Sequence, residues 1–226
     1  MSDEPLARAE LGLRRVGKDA GNTFAVEIWS IGLGLALSIF LARTLGPEGN
    51  GLYALALLLP TTLAQLLNLG VPPANIYFVG RGDVALGTAL RATTRLGIIV
   101  GVLGLAIVPL VIHYRGEQWF PGVPPSLMLL ALAAYPIGLF QAYYATLLTA
   151  VKDFRRFNRT LAVMPLVTLT LAAALVLFGG MGVAGAVVAY LAGQFSGALT
   201  SRLSLRAHLE PDRTGVDGES WWAYGR

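Results

Sequence analysis

The residues of this chain that could do chemistry are the few polar ones held inside long apolar runs. An ionisable side chain near the middle of a bilayer costs about 2.5–3.5 kcal/mol by insertion scales, so each one retained there is a candidate for function. Glu27 is the only acid inside such a run. It is a candidate for ion coupling, although it could equally reach the boundary or pair with an arginine. Arg91 and Arg95 stand four apart, which puts both guanidiniums on one helix face. A guanidinium matches two phosphate oxygens at once, so the pair could receive an anionic headgroup. Gln65 and Asn68 are three apart, as are Gln141 and Tyr144, and Gln194 lies in the last run. Together these residues would line a polar substrate cavity opening toward one membrane face. A plainer account stands beside it, since basic residues at one boundary are also what orientation alone requires.

Catalysis finds little to work with. An intramembrane serine protease needs a serine and a histidine base within the membrane. His113 falls at the outer edge of a run and His208 in the polar tail, while Ser196-Gly197 lacks the preceding glycine of a nucleophile motif. There is no HExxH, no phosphate-binding GxxxxGK[ST] loop and no pair of acids within the bilayer. Cysteine is absent, which removes thiolate metal sites and disulfides. The expectation is a non-enzyme with no metal and no cofactor.

The elements that must position the polar residues follow from composition. Hydrophobic residues make up 55% of the 226 and charged residues 13%, with a mean hydropathy of +0.63. A soluble domain carries about 25% charged residues; here half of that is missing, and the remainder is bunched between uncharged stretches. A membrane-crossing helix needs about 20 apolar residues, and six segments meet or approach this: 24–42, 51–70, 93–112, 126–151, 161–178 and 181–201. None shows the alternation of a membrane barrel strand, so the fold class is all-α and integral to the membrane. The expected connections carry breakers: Gly46-Pro47 and Gly49-Asn50 in 43–50, Pro72-Pro73 in 70–82, Pro124-Pro125 in 113–125, a basic link at 152–159, and Gly179-Gly180. Pro60, Pro109, Pro136 and Pro165 lie within spans, where each removes a backbone hydrogen bond; Pro60 and Pro136, nearest mid-span, are the candidate hinges. Gly97 with Gly101, and Gly193 with Gly197, are spaced for close helix approach.

Of the 17 Lys and Arg residues, all but Arg43 and Arg115 fall on one side of this six-span arrangement. By the positive-inside rule that side, with both termini, is cytoplasmic. The same asymmetry accounts for the net charge of +4 without nucleic acid. The first twenty residues mix acids and bases and read as a short cytoplasmic amphipathic lead-in with Leu6, Leu13 and Val16 on one face, rather than a cleavable leader.

Residues 41–79, LARTLGPEGNGLYALALLLPTTLAQLLNLGVPPANIYFV, carry a more specific signal. Ala42, Arg43, Leu45, Gly46, Pro47, either Gly49 or Asn50, Gly51, Leu52 and Tyr53, followed by Leu69 and Gly70, resemble the start of the polysaccharide-biosynthesis flippases. These form the O-antigen-type branch of the multidrug/oligosaccharidyl-lipid/polysaccharide superfamily. Residues 180–202 resemble that family's sixth helix. The resemblance implies one six-helix lobe (21–203) of a MATE-like flippase fold, followed by a cytoplasmic linker (204–226) toward a second lobe, either in a longer protein or supplied by a second copy or a second polypeptide. It also implies transport of undecaprenyl-pyrophosphate-linked glycan across a bacterial inner membrane by alternating access, with membrane lipid around it and a glycan polymerase or ligase as partner. Export of drugs or other lipids within the same superfamily is an alternative, as is a non-transporting scaffold for glycan-assembly enzymes.

Overall fold

A computed structural model describes residues 4–209, with the side chains of residues 4–20 and of Glu117 outside the description. The amphipathic face expected for the lead-in and the linker beyond residue 209 therefore lie outside the described residues. The described chain is helical throughout: α1 (Glu4–Leu66), α2 (Val71–Gly80), α3 (Leu86–Trp119), α4 (Pro125–Leu132), α5 (Ala134–Ala150), α6 (Phe154–Ala173), a π-helical turn (Ala174–Phe178) and α7 (Gly182–Arg206). Among the described residues five helical stretches are long and apolar enough to cross a membrane, and the first of them, Gly21–Leu66, contains the first expected span and most of the second. Helices satisfy every backbone group internally, which is what a hydrocarbon environment demands.

Several expected loops are helix instead. The RTLGPEGN stretch is not a polar connection but a corner at one residue, Gly46, whose φ of 70° and ψ of 177° leave the helix. Positive φ costs glycine little, and Pro47 then suits the first turn of the resumed helix. Residues 70–82 hold α2, whose Pro72 and Pro73 occupy the first turn, where no amide hydrogen is needed. The span expected at 93–112 runs in fact from Leu86 to Trp119. The one expected at 126–151 is divided at Ala133 into α4 and α5. Pro136 explains that division, since its ring excludes the carbonyl of Leu132 and it has no hydrogen to donate. Finally, the basic link 152–159 is mostly the first turns of α6.

The core centres on α5. Tyr135, Leu139, Tyr143, Leu147 and Leu148 are fully buried there. Glycines make this possible: a side chain on Gly104 would overlap the Tyr135 ring, one on Gly97 would press into Phe140, and one on Gly193 would overlap Thr168 of α6. The closely spaced glycines thus mark real helix contacts, where backbones approach each other. The first span is the opposite case. In its most apolar window only 6% of residues are buried, against 44% for the window in α4–α5.

Candidate functional site

Side-chain contacts sort the helix ends into two sets. At one end Thr23 of α1 meets Asn158 of α6, Tyr144 of α5 meets Thr94 of α3 and Arg202 of α7, and His208 meets Asp153. This end carries Arg81, Arg91, Arg95, Lys152, Arg155, Arg156, Arg159, Arg202 and Arg206. The other end brings Gly49 against Val183 and surrounds two cavities of about 330 and 420 Å³, lined by residues such as Phe120, Val123 and Met128, and Leu52, Leu130 and Val183. Among the described residues it carries only Arg43 and Arg115 as basic groups. Among the described residues the Lys and Arg side chains therefore gather at one end of the bundle.

At the basic end, the turn into α6 builds the first cluster. Lys152 takes a positive φ of 58° while its N–H and that of Asp153 bond back to Thr149 (2.9 Å) and Leu148 (3.0 Å), closing α5. Asp153 then caps α6, accepting from the Arg156 backbone N–H at 3.0 Å and the Arg156 guanidinium at 2.7 Å. His208 contacts the same carboxylate at 2.8 Å. Burial by itself would raise the Asp153 pKa. The hydrogen bonds from the Arg156 backbone, His208 and the Arg156 side chain outweigh it and hold the carboxyl below the usual range. On the far side, Asn158 Nδ2 donates to Thr23 Oγ1 at 3.2 Å and Ser30 Oγ donates to the Leu161 carbonyl at 3.0 Å, fastening the first span to α6. Between them lies a cavity of about 620 Å³ lined by Val26, Asp153, Arg155, Arg156, Asn158, Arg159 and Ala162.

A second cluster ties α2, α3, α5 and α7 together. Thr93 Oγ1 donates to Asn75 Oδ1 at 3.2 Å, and Asn75 Nδ2 reaches the Tyr143 carbonyl at 3.5 Å, all buried. One residue along α5, the Tyr144 hydroxyl lies 3.2 Å from Thr94 and accepts from Arg202 at 3.3 Å. The Arg202 guanidinium also sits 5.4 Å from the centre of the Tyr144 ring, and Phe140 stacks on that ring from another side at 5.8 Å. Beside them an apolar groove of about 260 Å³ runs between α5 and α7, lined among others by Pro136, Phe140, Phe195 and Leu199.

The residues expected to line one cavity divide between outside and inside. Arg91, Arg95, Gln65 and Glu27 are exposed on the bundle surface. Arg91 folds back on its own helix, 3.3 Å from Thr88 Oγ1. Asn68 organises the α1–α2 turn: its Oδ1 accepts from Gly70 N–H at 2.9 Å and its carbonyl accepts from Tyr143 at 3.1 Å. Gln141 packs beside Gly197, near Met164. Tyr144 is buried in the Arg202 cluster, and Gln194 donates to Tyr190 at 2.7 Å. Of the expected hinges, Pro60 is fully buried and Pro136 stands at the α4–α5 break. Sequence reasoning used Arg155, Arg156, Arg159 and Arg202 only as charges for orientation. The spacing of RRFNR offered a further signal, because residues 155 and 159 share a helix face.

Residues 16–212 match the sequence pattern of a family described as polysaccharide biosynthesis protein. No curated protein and no solved structure matches the chain.

Proposed function

Because the chain belongs to the polysaccharide biosynthesis protein family, we propose that it forms a lobe of a flippase that carries lipid-linked oligosaccharide units across the inner membrane. The family match over residues 16–212 carries this reading. The membrane-crossing helices and the strongly basic bundle end support it. The chain is a multi-pass membrane protein of flippase type. In the proposed mechanism the basic end faces the cytoplasm, where positive charge accumulates, and draws in the anionic phosphates of the carrier lipid. Arg91 and Arg95, exposed at the start of α3, stand at the approach, with Gln65 nearby on the same bundle end. Glu27, exposed on the first span, is the proposed ion-coupling group. Alternating access needs helices that bend, and Pro60 and Pro136 supply the proposed bends, since each leaves a carbonyl without its helical donor. A glycan polymerase or ligase on the far side would consume the product.

The test is side-selective. The chain is reconstituted into liposomes with a fluorescent prenyl-diphosphate-linked oligosaccharide, and its passage to the other leaflet is followed with a membrane-impermeant quencher. Transfer faster than in protein-free vesicles supports the proposal. Transfer of a fluorescent drug but not of the lipid-linked glycan would move the chain to export, and transfer of neither would mean that this lobe alone does not translocate.

A further inference from the structure

We infer that the cavity between the first span and α6 is a binding site for a phosphate-bearing headgroup, held by Arg155 and Arg159. The inference rests on the flippase reading for the lipid that brings the phosphate, and on the geometry of this cavity for the binding itself. At about 620 Å³ the cavity is within the range of small-molecule sites. Three guanidiniums line it against one carboxylate, Asp153, and that carboxylate is already bonded to Arg156 and His208.

The contrast among arginines at this end singles out two of them. Arg81 pairs with Asp83 at 3.4 Å, Arg156 with Asp153 at 2.7 Å, and Arg202 is held by Tyr144. Among the described residues Arg95, Arg206, Arg155 and Arg159 make no side-chain ion pair or hydrogen bond, and of these four Arg155 and Arg159 line the cavity. Being four apart, they extend from the same face of α6. Arg155 also stands in the first turn of the helix, where the helix dipole favours an anion.

An independent observation comes from the cavity wall. Asn158 is 8% exposed, its Nδ2 donates to Thr23, and its Oδ1 is buried without a donor. Whichever way the amide is turned, one of its polar atoms stays unmatched, and an unmatched buried polar atom is costly. A ligand hydroxyl at the cavity would donate to Oδ1, and with the amide turned a phosphate oxygen would accept from Nδ2. Val26 and Ala162 line the same cavity with apolar surface, which suits the first carbons of a lipid chain.

The experiment uses the full chain in phosphatidylcholine nanodiscs, with binding of farnesyl diphosphate measured by calorimetry. Wild type binds, and Arg155→Gln/Arg159→Gln weakens binding by about tenfold or more, as expected for losing two charge-assisted contacts. Lys152→Gln, an exposed charge beside but not lining the cavity, changes it by less than about twofold, as a screened surface charge should. Arg155→Lys/Arg159→Lys retains charge and recovers part of the loss, which separates binding from misfolding. Competition by inorganic pyrophosphate at equal concentration would assign the site to soluble phosphates. Competition only by added phosphatidylglycerol would assign it to bulk anionic lipid, and competition by neither to a lipid-borne diphosphate. Wild-type binding by the Gln double variant, or an equal loss in Lys152→Gln, would overturn the site. Binding in nanodiscs needs no translocation, so a chain that binds but moves no lipid keeps this site and loses the flippase reading.

Discussion

Two groups of arginines lie at the same end of the bundle and differ in what already holds them. Arg202 spends its guanidinium inside the lobe, on the hydroxyl and ring of Tyr144. Arg155 and Arg159, on the neighbouring α6, line a cavity and bond to nothing among the described residues. A guanidinium carries five donors and does not give up its charge. Where the fold supplies the acceptors, the residue contributes to assembly; where it does not, the donors remain for a ligand. Charge alone does not separate the two cases, because both groups count equally toward orientation.

That contrast can be broken by stability measurements, beginning with the buried network beside Arg202. Asn75→Leu removes the partner of Thr93 and the donor to the Tyr143 carbonyl. It should lower the unfolding free energy by about 2 kcal/mol, since buried polar groups are left unpaired; denaturant titration in detergent checks this. Arg202→Gln loses the ring contact and weakens the bond to Tyr144, and should cost about 1–2 kcal/mol by the same assay. A neutral result there would erase the distinction between the two groups.

Asp153→Asn keeps a good N-cap but loses the charge on the contacts to Arg156 and His208, and should cost about 1 kcal/mol at neutral pH. The pH dependence follows from its depressed pKa. A carboxyl whose folded pKa lies below its unfolded value contributes stability that is fully present above the unfolded value, near pH 4. That contribution disappears as pH falls through the lower folded pKa. The gap between wild type and Asp153→Asn should therefore be constant from pH 7 to about pH 5 and narrow only below about pH 4. Smallest of all, Arg155→Gln should change stability by less than about 0.5 kcal/mol, as for a surface position without a partner. A larger loss would place Arg155 with the structural group.

Hydropathy made the membrane-crossing helices and the glycine contacts legible, because lipid allows few alternatives. Gly46 was legible as a break, but its neighbours were not legible as helix, since Gly-Pro signals a turn without saying that one residue suffices. The start of α6 was obscured in a similar way. Four basic residues in 152–159 depress hydropathy and suggest a loop, although Asp153 three residues before Arg156 is a serviceable cap. Asn68 and Tyr144 have polar side chains that suit a cavity as well as a joint. Only the three-dimensional contacts, Asn68 with Gly70 and Tyr144 with a residue 58 positions away, show that they hold the lobe together. The cavity between the first span and α6 depends on a contact spanning 135 positions, Thr23 with Asn158, for which no periodicity exists.

The most direct measurement is the rate at which a fluorescent prenyl-diphosphate-linked oligosaccharide crosses liposomes containing the wild type, Arg155→Gln/Arg159→Gln or Lys152→Gln. Expected are transfer by the wild type above protein-free vesicles, a loss of about tenfold in the double variant, and an unchanged rate for Lys152→Gln. Wild-type transfer with an unchanged rate in the double variant, folded and inserted, would contradict it.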